Sequence, residues 1–75
     1  ICTLDCGTMN FAEGDYVMVN TPGMLRDMGA RMAAAGARIE IEAFDTGHLW
    51  FAKELVKEGV IPAPVLVQLC MGVPW

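Results

Sequence analysis

Basic residues are scarce in this sequence of 75 residues, which has five Lys and Arg against nine Asp and Glu and a net charge of −4. The five basic residues are scattered along the chain. Proteins that bind nucleic acid need clustered Lys and Arg to neutralise phosphates. We therefore expect no nucleic acid among the partners of this protein.

Long apolar runs are also missing. No stretch of about 18 apolar residues occurs, so we expect no membrane span and no membrane partner. The sequence has no signal-peptide pattern of a basic start, an apolar middle and a small-residue cleavage site either.

Cysteine is present only three times, an odd number that does not suggest a disulfide framework. Cys2 and Cys6 have the spacing of a C-x3-C pair, but on a strand they would lie about 13 Å apart on one face. That distance is too long for one tetrahedral metal ion. We predict buried structural thiols in a reducing, cytoplasmic location.

Apolar residues are abundant, at 55% of the chain, with a mean hydropathy of +0.42. A small domain has a large surface for its volume and needs many polar residues to cover it. We therefore expect this chain to be a segment of a larger single-domain protein that covers part of its apolar surface.

The first half of the chain predicts a strand, a loop and a helix. The strand runs from Ile1 to Cys6, and the loop from Thr8 to Asn20, with Gly14 and Asp15 as turn residues. Thr21 is a helix N-cap, Pro22 suits the first helical position, and Gly36 closes the helix. The apolar positions at helical spacing are Met24, Leu25, Met28, Met32 and Ala35.

The second half predicts a strand, a helix and a strand. From Arg38 to Phe44 the residues alternate, with Ile39, Ile41 and Ala43 on one side and Glu40, Glu42 and Phe44 on the other. A helix follows over residues 49–58, ended by Gly59 and a closing contact of Val60. Its apolar face consists of Leu49, Ala52, Leu55 and Val56. The third strand covers residues 65–71.

This β-α-β-α-β order with helical crossovers predicts an α/β fold with parallel strands. A doubly wound sheet and a (β/α)8 TIM barrel both contain such units. In an open sheet, Glu40 and Glu42 would face helices, where unpaired carboxylates are costly. In a barrel they face an interior that is polar near its active-site mouth, so we favour the barrel.

Polar side chains at the C-terminal ends of the strands are the candidate functional residues. Thr8 and Asn10 suit binding of a carboxylate or carbonyl group, or alternatively a turn. Glu42 can orient a substrate, take a proton or form an interior ion pair, and Glu40, one layer deeper, suits a structural ion pair.

The run Asp45-Thr-Gly-His48 leads into the second helix and gives two possible rim residues, Asp45 and His48. Asp45 or Thr46 can cap that helix. His48 is either a structural histidine or a functional one, but no partner for a zinc site lies at ligand spacing within the chain.

Asp45-Thr-Gly also resembles the active-site motif of aspartic proteases, in which two aspartates share a proton. The helical pattern that follows and the two preceding glutamates argue against an all-β protease half. An aspartic protease half is therefore kept only as an alternative hypothesis.

Three stretches resemble the β-keto acid cleavage enzymes, the family of the 3-keto-5-aminohexanoate cleavage enzyme of lysine fermentation. They are Thr3-Leu-Asp-Cys-Gly-Thr-Met-Asn-Phe11, Glu40-Ile-Glu-Ala-Phe-Asp-Thr-Gly-His-Leu49 and Gln68-Leu-Cys-Met-Gly-Val-Pro-Trp75. The resemblance covers essentially the whole chain and would place it on strands four to six of a (β/α)8 barrel.

The resemblance implies an acyltransferase that uses a 3-keto acid and acetyl-CoA and gives acetoacetate and an acyl-CoA. It implies Zn²⁺ as a Lewis acid, held by two histidines and a glutamate outside this chain. Thr8 matches a substrate-contacting position and Glu42 an active-site carboxylate. It further implies a homo-oligomer, a tetramer, and a segment that is inactive alone.

A different class of function is a barrel segment that serves only as a binding or assembly module without catalysis. A pair of histidines on an earlier strand and a glutamate on a late strand of the longer protein would distinguish the enzyme from this module.

Overall fold

The computed structural model describes residues 1–74, and Trp75, the last residue of the third family motif, lies outside the described residues. Three parallel strands, β1 (Cys2–Asp5), β4 (Ile39–Ala43) and β5 (Leu66–Leu69), pair in the sheet order β1-β4-β5, and apolar and polar residues alternate along β1 and β4. Helices α1 (Pro22–Ala34) and α2 (Thr46–Lys57) form the two crossovers. The predicted α/β class and the parallel pairing are confirmed.

The predicted loop from Thr8 to Asn20 contains an antiparallel hairpin of β2 (Met9–Phe11) and β3 (Tyr16–Met18). Its turn has positive φ angles at Gly14 and Asp15, as their assignment to a turn predicted. The rings of Phe11 and Tyr16 stack across the hairpin with centroids 5.0 Å apart. Each strand is only three residues long, so neither shows a recognisable alternation.

Helix α1 begins as predicted, because the Thr21 side chain accepts a hydrogen bond from the Met24 backbone N–H. It ends at Ala34, and Gly36 adopts the left-handed conformation that follows many helices. The predicted apolar face is partly wrong, since Met24 and Ala35 are exposed. Gly29 is buried instead, and a Cβ there would lie 3.2 Å from side-chain atoms of Val60 and Ile61.

Helix α2 begins at Thr46, three residues before the predicted start at Leu49. The reason is its cap: the Asp45 carboxylate accepts a hydrogen bond from the His48 backbone N–H at 3.0 Å. Leu49 is exposed, whereas His48 and Ala52 are buried. Gly59 ends the helix region with a positive φ, and Val60 packs against the core, as predicted. The Val60 N–H also donates to the Leu55 carbonyl.

One face of the sheet is covered by both helices and holds the core. The core side chains are Leu4, Cys6, Leu25, Ile39, Ile41, Ala52, Leu55 and Ile61. Arg26 of α1 also donates from two nitrogens to both carboxylate oxygens of Glu58, at 2.8 and 2.9 Å, and so joins the two helices. We call this side the covered face.

The other side, the open face, carries the alternate residues of the same strands. Asp5 pairs in register with Glu42, and Glu42 with Gln68. One layer nearer the N-terminal ends, Thr3 pairs with Glu40 and Glu40 with Leu66. The predicted alternation of the second strand is confirmed, since Ile39, Ile41 and Ala43 are buried and Glu40, Glu42 and Phe44 are half-buried.

No helix among residues 1–74 is both long enough and apolar enough to cross a membrane.

Candidate functional site

A cleft of about 440 Å³ lies at the C-terminal edge of the sheet. Thr8, Asn10 and Asp45, three of the predicted site residues, line this cleft. Phe44 and the segment that follows β5, including Cys70, complete its wall. The parallel strands thus bring the ends of β1 and β4 together with the chain after β5, as such folds do where they bind ligands.

Thr8 follows β1 directly and is held in place through its side chain. The Thr8 hydroxyl oxygen accepts a hydrogen bond from the backbone N–H of Asn20 at 2.9 Å. The Asn20 side-chain amide also donates to the Gly7 carbonyl, at 3.3 Å. Since the hydroxyl oxygen already accepts, the hydroxyl proton can be donated to an oxygen atom in the cleft.

Asn20 was missed by the sequence analysis. It lies 12 residues after Thr8, at the end of the segment that contains the hairpin, and no local spacing connects the two. Asn10 is on β2, in register with Val17, with its side chain exposed at the cleft.

Glu42 lies on the open face of β4, below the cleft rather than in its wall. Its carboxyl group is half-buried next to the Asp5 carboxyl on the adjacent strand. A hydrogen bond with Asp5, burial, and the negative charges of Asp5 and Glu40 raise the pKa of Glu42. The neighbouring negative charges therefore disfavour ionisation of the Glu42 carboxyl group.

Asp5 was not among the predicted site residues, although the pattern that identified Glu42 also identifies it. Leu4 and Cys6 are buried on the covered face, so Asp5 between them must face the other side. The register then places it beside Glu42. Glu40 makes no ion pair with another of residues 1–74.

Asp45 is exposed and caps α2, which was one of the two roles expected for Asp45 or Thr46. Its second carboxylate oxygen lies 3.4 Å from Nε2 of His48. The Asp-Thr-Gly run therefore begins a helix, which is the feature that argued against an aspartic protease half.

His48 is buried beneath the edge of the sheet, with 4% of its surface exposed. Its Nδ1 accepts a hydrogen bond from the Phe44 N–H at 3.1 Å, and its Nε2 lies 3.4 Å from the Thr8 carbonyl oxygen. Both ring nitrogens are engaged by protein groups. Within residues 1–74, no group of three or more His, Cys, Asp or Glu is placed to hold a metal ion.

All three cysteines are free, and Cys6 is buried in the core. Burial and the nearby Asp5 charge raise the pKa of the Cys6 thiol to about 11. Cys2 and Cys70 are half-buried. The predicted structural thiol is thus confirmed for Cys6.

Comparison with known families gives a match to the beta-keto acid cleavage enzyme family over residues 1–75. A 3-dehydrocarnitine:acetyl-CoA trimethylamine transferase from Rhizobium meliloti (strain 1021) is 73% identical over 75 residues, which is 100% of this chain and 25% of that protein.

Two proteins named 3-keto-5-aminohexanoate cleavage enzyme are more distant. Those from Fusobacterium nucleatum and Acetoanaerobium sticklandii are each 38% identical over 73 residues, which is 97% of this chain and 26% of each protein. The chain therefore spans about a quarter of the length of the relatives it matches.

Proposed function

Because the chain belongs to the beta-keto acid cleavage enzyme family, we propose that it is part of an acyltransferase that uses a 3-keto acid and acetyl-CoA and gives acetoacetate and an acyl-CoA. The observation that carries this proposal is the family match over all 75 residues, together with 73% identity to an acetyl-CoA-dependent transferase. A transferase reaction with acetyl-CoA is thus common to the proposal and to the name of the 73% identical relative.

We propose that the open face lines the interior of a (β/α)8 barrel and that residues 1–75 form part of that single domain. Both helices pack on the same side of the sheet, and the strands follow one another in the order β1-β4-β5. A barrel has this arrangement, with helices outside and a polar interior near the mouth. The polar layer of Asp5, Glu42 and Gln68 supports this placement.

The substrate that we propose is a 3-keto acid with a nitrogen-bearing, cationic substituent. The names of the relatives include trimethylamine in one case and an amino group in the others. Within the three parallel strands, the open face carries Asp5, Glu40 and Glu42 and no basic side chain. Acidic side chains below the cleft attract a substrate of positive charge.

Thr8 is proposed to bind an oxygen of the keto acid. Its hydroxyl oxygen accepts from Asn20, which directs the hydroxyl proton to a different acceptor. A carboxylate or keto oxygen of the substrate suits that position. Asn10, exposed at the same cleft, is proposed as a second polar contact.

Glu42 is proposed as the carboxyl group that orients or polarises the keto acid. Its raised pKa allows the carboxyl group to hold a proton closer to neutral pH than an ordinary glutamate does. Such a group can donate a hydrogen bond to a keto oxygen or exchange a proton with it.

Zinc is proposed as a cofactor of the full-length enzyme, with ligands outside this segment. The residues of this segment do not fit a zinc site, because both nitrogens of His48 are engaged and residues 1–74 provide no metal-binding cluster. When bound, zinc would supply Lewis-acid polarisation of the keto group.

We also propose a homo-oligomer, as the family resemblance implies, and a cytoplasmic location. Three free cysteines fit a reducing compartment.

The first test is an assay of the full-length protein with acetyl-CoA and 3-keto acids. Formation of acetoacetate and an acyl-CoA is followed by chromatography, with 3-dehydrocarnitine, 3-keto-5-aminohexanoate and an uncharged 3-keto acid as substrates. We expect kcat/KM for a cationic substrate to exceed that for the uncharged one by about tenfold or more. If none of the substrates yields a new acyl-CoA other than the added acetyl-CoA, the proposed function is contradicted.

The second test compares two glutamates on the same strand. Glu42→Gln keeps the shape of the side chain but removes its titration, and we expect turnover to fall by about 100-fold or more with the fold unchanged. Glu40→Gln, one layer deeper, is the matched control and is expected to stay within about threefold of wild type. A Glu42→Gln enzyme with activity near that of wild type would assign Glu42 a structural role.

A further inference from the structure

The side chain of His48 connects α2 to the loop that carries Thr8. The ring is buried, and its two nitrogens contact the ends of two different strands. Nδ1 accepts from the Phe44 N–H at the end of β4, and Nε2 contacts the Thr8 carbonyl oxygen after β1. Residues 40 positions apart in the sequence are thereby brought together at the cleft.

The hydrogen bond from Phe44 fixes the tautomer of His48. A backbone N–H can only donate, so Nδ1 must carry a lone pair, and the proton of the neutral ring is on Nε2. That proton lies between the Thr8 carbonyl oxygen and a carboxylate oxygen of Asp45, each 3.4 Å from Nε2. The ring therefore acts as a donor toward Thr8.

Gly7, which follows β1, allows the His48 ring to lie directly against the backbone. A Cβ atom at Gly7 would be 2.2 Å from Cδ2 and 2.4 Å from Nε2 of His48, closer than real contacts permit. The backbone φ of Gly7 is not in the left-handed region. The ring, rather than the backbone conformation, is thus what requires glycine at this position.

Thr8 is consequently held from two sides. His48 contacts its carbonyl oxygen, and Asn20 donates its backbone N–H to the hydroxyl. The Asn20 side chain also donates to the carbonyl of Gly7. These contacts fix the position of the Thr8 hydroxyl group in the cleft.

We propose that His48 is a positioning residue that sets the location of Thr8 for substrate binding through its contacts with Gly7 and the Thr8 carbonyl. This inference rests on the proposed role of Thr8 in binding the 3-keto acid. His48 itself touches no reacting atom in this arrangement. It preorganises a binding group, which lowers the cost of ordering that group when substrate arrives.

The test uses two amide variants of His48 in the full-length enzyme. In His48→Asn, the amide oxygen stands near the Nδ1 position and keeps the acceptor for Phe44, but no donor reaches Thr8. In His48→Gln, the amide nitrogen stands near the Nε2 position and keeps the donor to Thr8. We expect KM for the keto acid to rise about tenfold in the Asn variant, with a smaller change in kcat, and to be largely restored in the Gln variant.

A double-mutant cycle separates this inference from the proposed function. Thr8→Val removes the hydroxyl, with Thr8→Ser as the control that keeps it. If His48 acts through Thr8, His48→Asn adds less than about twofold to KM in the Thr8→Val background. If the KM increases of the two single variants multiply in the double variant, or if His48→Asn leaves KM unchanged, the positioning role of His48 is overturned. The proposed role of Thr8 is unaffected by either result. A Thr8→Val enzyme with wild-type KM refutes the proposed role of Thr8 itself, and the positioning role with it.

Gly7→Ala supplies a second measurement if the His48 variants fold poorly. The added methyl group meets the His48 ring, so we expect a raised KM in the wild-type background and partial recovery when combined with His48→Ala. A Gly7→Ala enzyme with wild-type KM and an unchanged melting temperature would show that the ring does not fix Thr8.

Discussion

The two faces of the sheet use the same strands for different purposes. On the covered face, Ile41 is fully buried between the two helices. One residue later in β4, Glu42 is half-buried on the open face beside Asp5, which raises the pKa of the Glu42 carboxyl group. The strand period of two residues thus separates a core side chain from a carboxyl group that we propose acts on substrate, within a single dipeptide.

This separation explains how such a segment can vary its chemistry without losing its core. A substitution at an open-face position removes no contact from the packed cluster of Leu4, Ile41 and Leu55. A substitution within that cluster on the covered face removes packing contacts and lowers stability. Variants of the full-length protein that carries this segment can test this contrast.

Ile41→Ala is expected to have the largest effect on stability. The side chain is 0% exposed, and its truncation leaves a cavity in the core, so we expect the free energy of unfolding to fall by about 2–5 kcal/mol. Ile41→Val removes only one methylene group and should cost about 0.5–1.5 kcal/mol. Urea denaturation followed by circular dichroism measures both. A loss below that of Ile41→Val would contradict a packed covered face.

On the covered face, the strand alternation and the helix ends were predicted because their signals are local, whereas Met24, Ala35 and Leu49 were wrongly assigned to apolar helix faces. The alternation from Ile39 to Ala43 and the Asp45 cap depend on residues within a few positions of each other. The helix-ending glycines, Gly36 and Gly59, work in the same way. Local periodicity and capping therefore identified the parallel sheet and both helices.

The open face and its cleft were predicted less completely because their contacts are long-range. Glu42 was found from alternation, but its partner Asp5 becomes visible only with the register of β1 and β4. Asn20 and the packing of His48 on Gly7 depend on how the hairpin and α2 fold over β1. No spacing in the sequence encodes such approaches, so these contacts required the structure.

The pH dependence of stability should have opposite signs for two glutamates. Glu42 has a raised pKa in the folded protein, so the folded state binds more protons than the unfolded state. Its contribution is favourable below the ordinary glutamate pKa and is lost as pH rises through the raised value. Glu42→Gln should therefore gain stability relative to wild type between about pH 4 and pH 7 in urea titrations.

Glu58 provides the opposite case on the helix side. The hydrogen bonds and positive charge of Arg26 lower the pKa of Glu58, so its contribution is present at neutral pH and lost as pH falls through the lowered value. The pair is exposed to solvent, so we expect only a small effect. Glu58→Gln should thus lose stability relative to wild type as pH rises from the lowered value to the ordinary glutamate pKa, and keep that deficit at neutral pH. Parallel pH trends in the two variants would contradict the assigned shifts.

The smallest expected signal is the slow alkylation of Cys6. Its thiol is 1% exposed on the covered face and has a pKa of about 11, so at pH 8 only about one thiol in a thousand is ionised. Cys6 should stay unmodified by iodoacetamide in the folded protein and react once urea unfolds it, as peptide mass spectrometry can measure. Cys2, half-buried at the start of the same strand, is the internal comparison. Modification of Cys6 at the rate of Cys2 under native conditions would mean that the covered face opens to solvent.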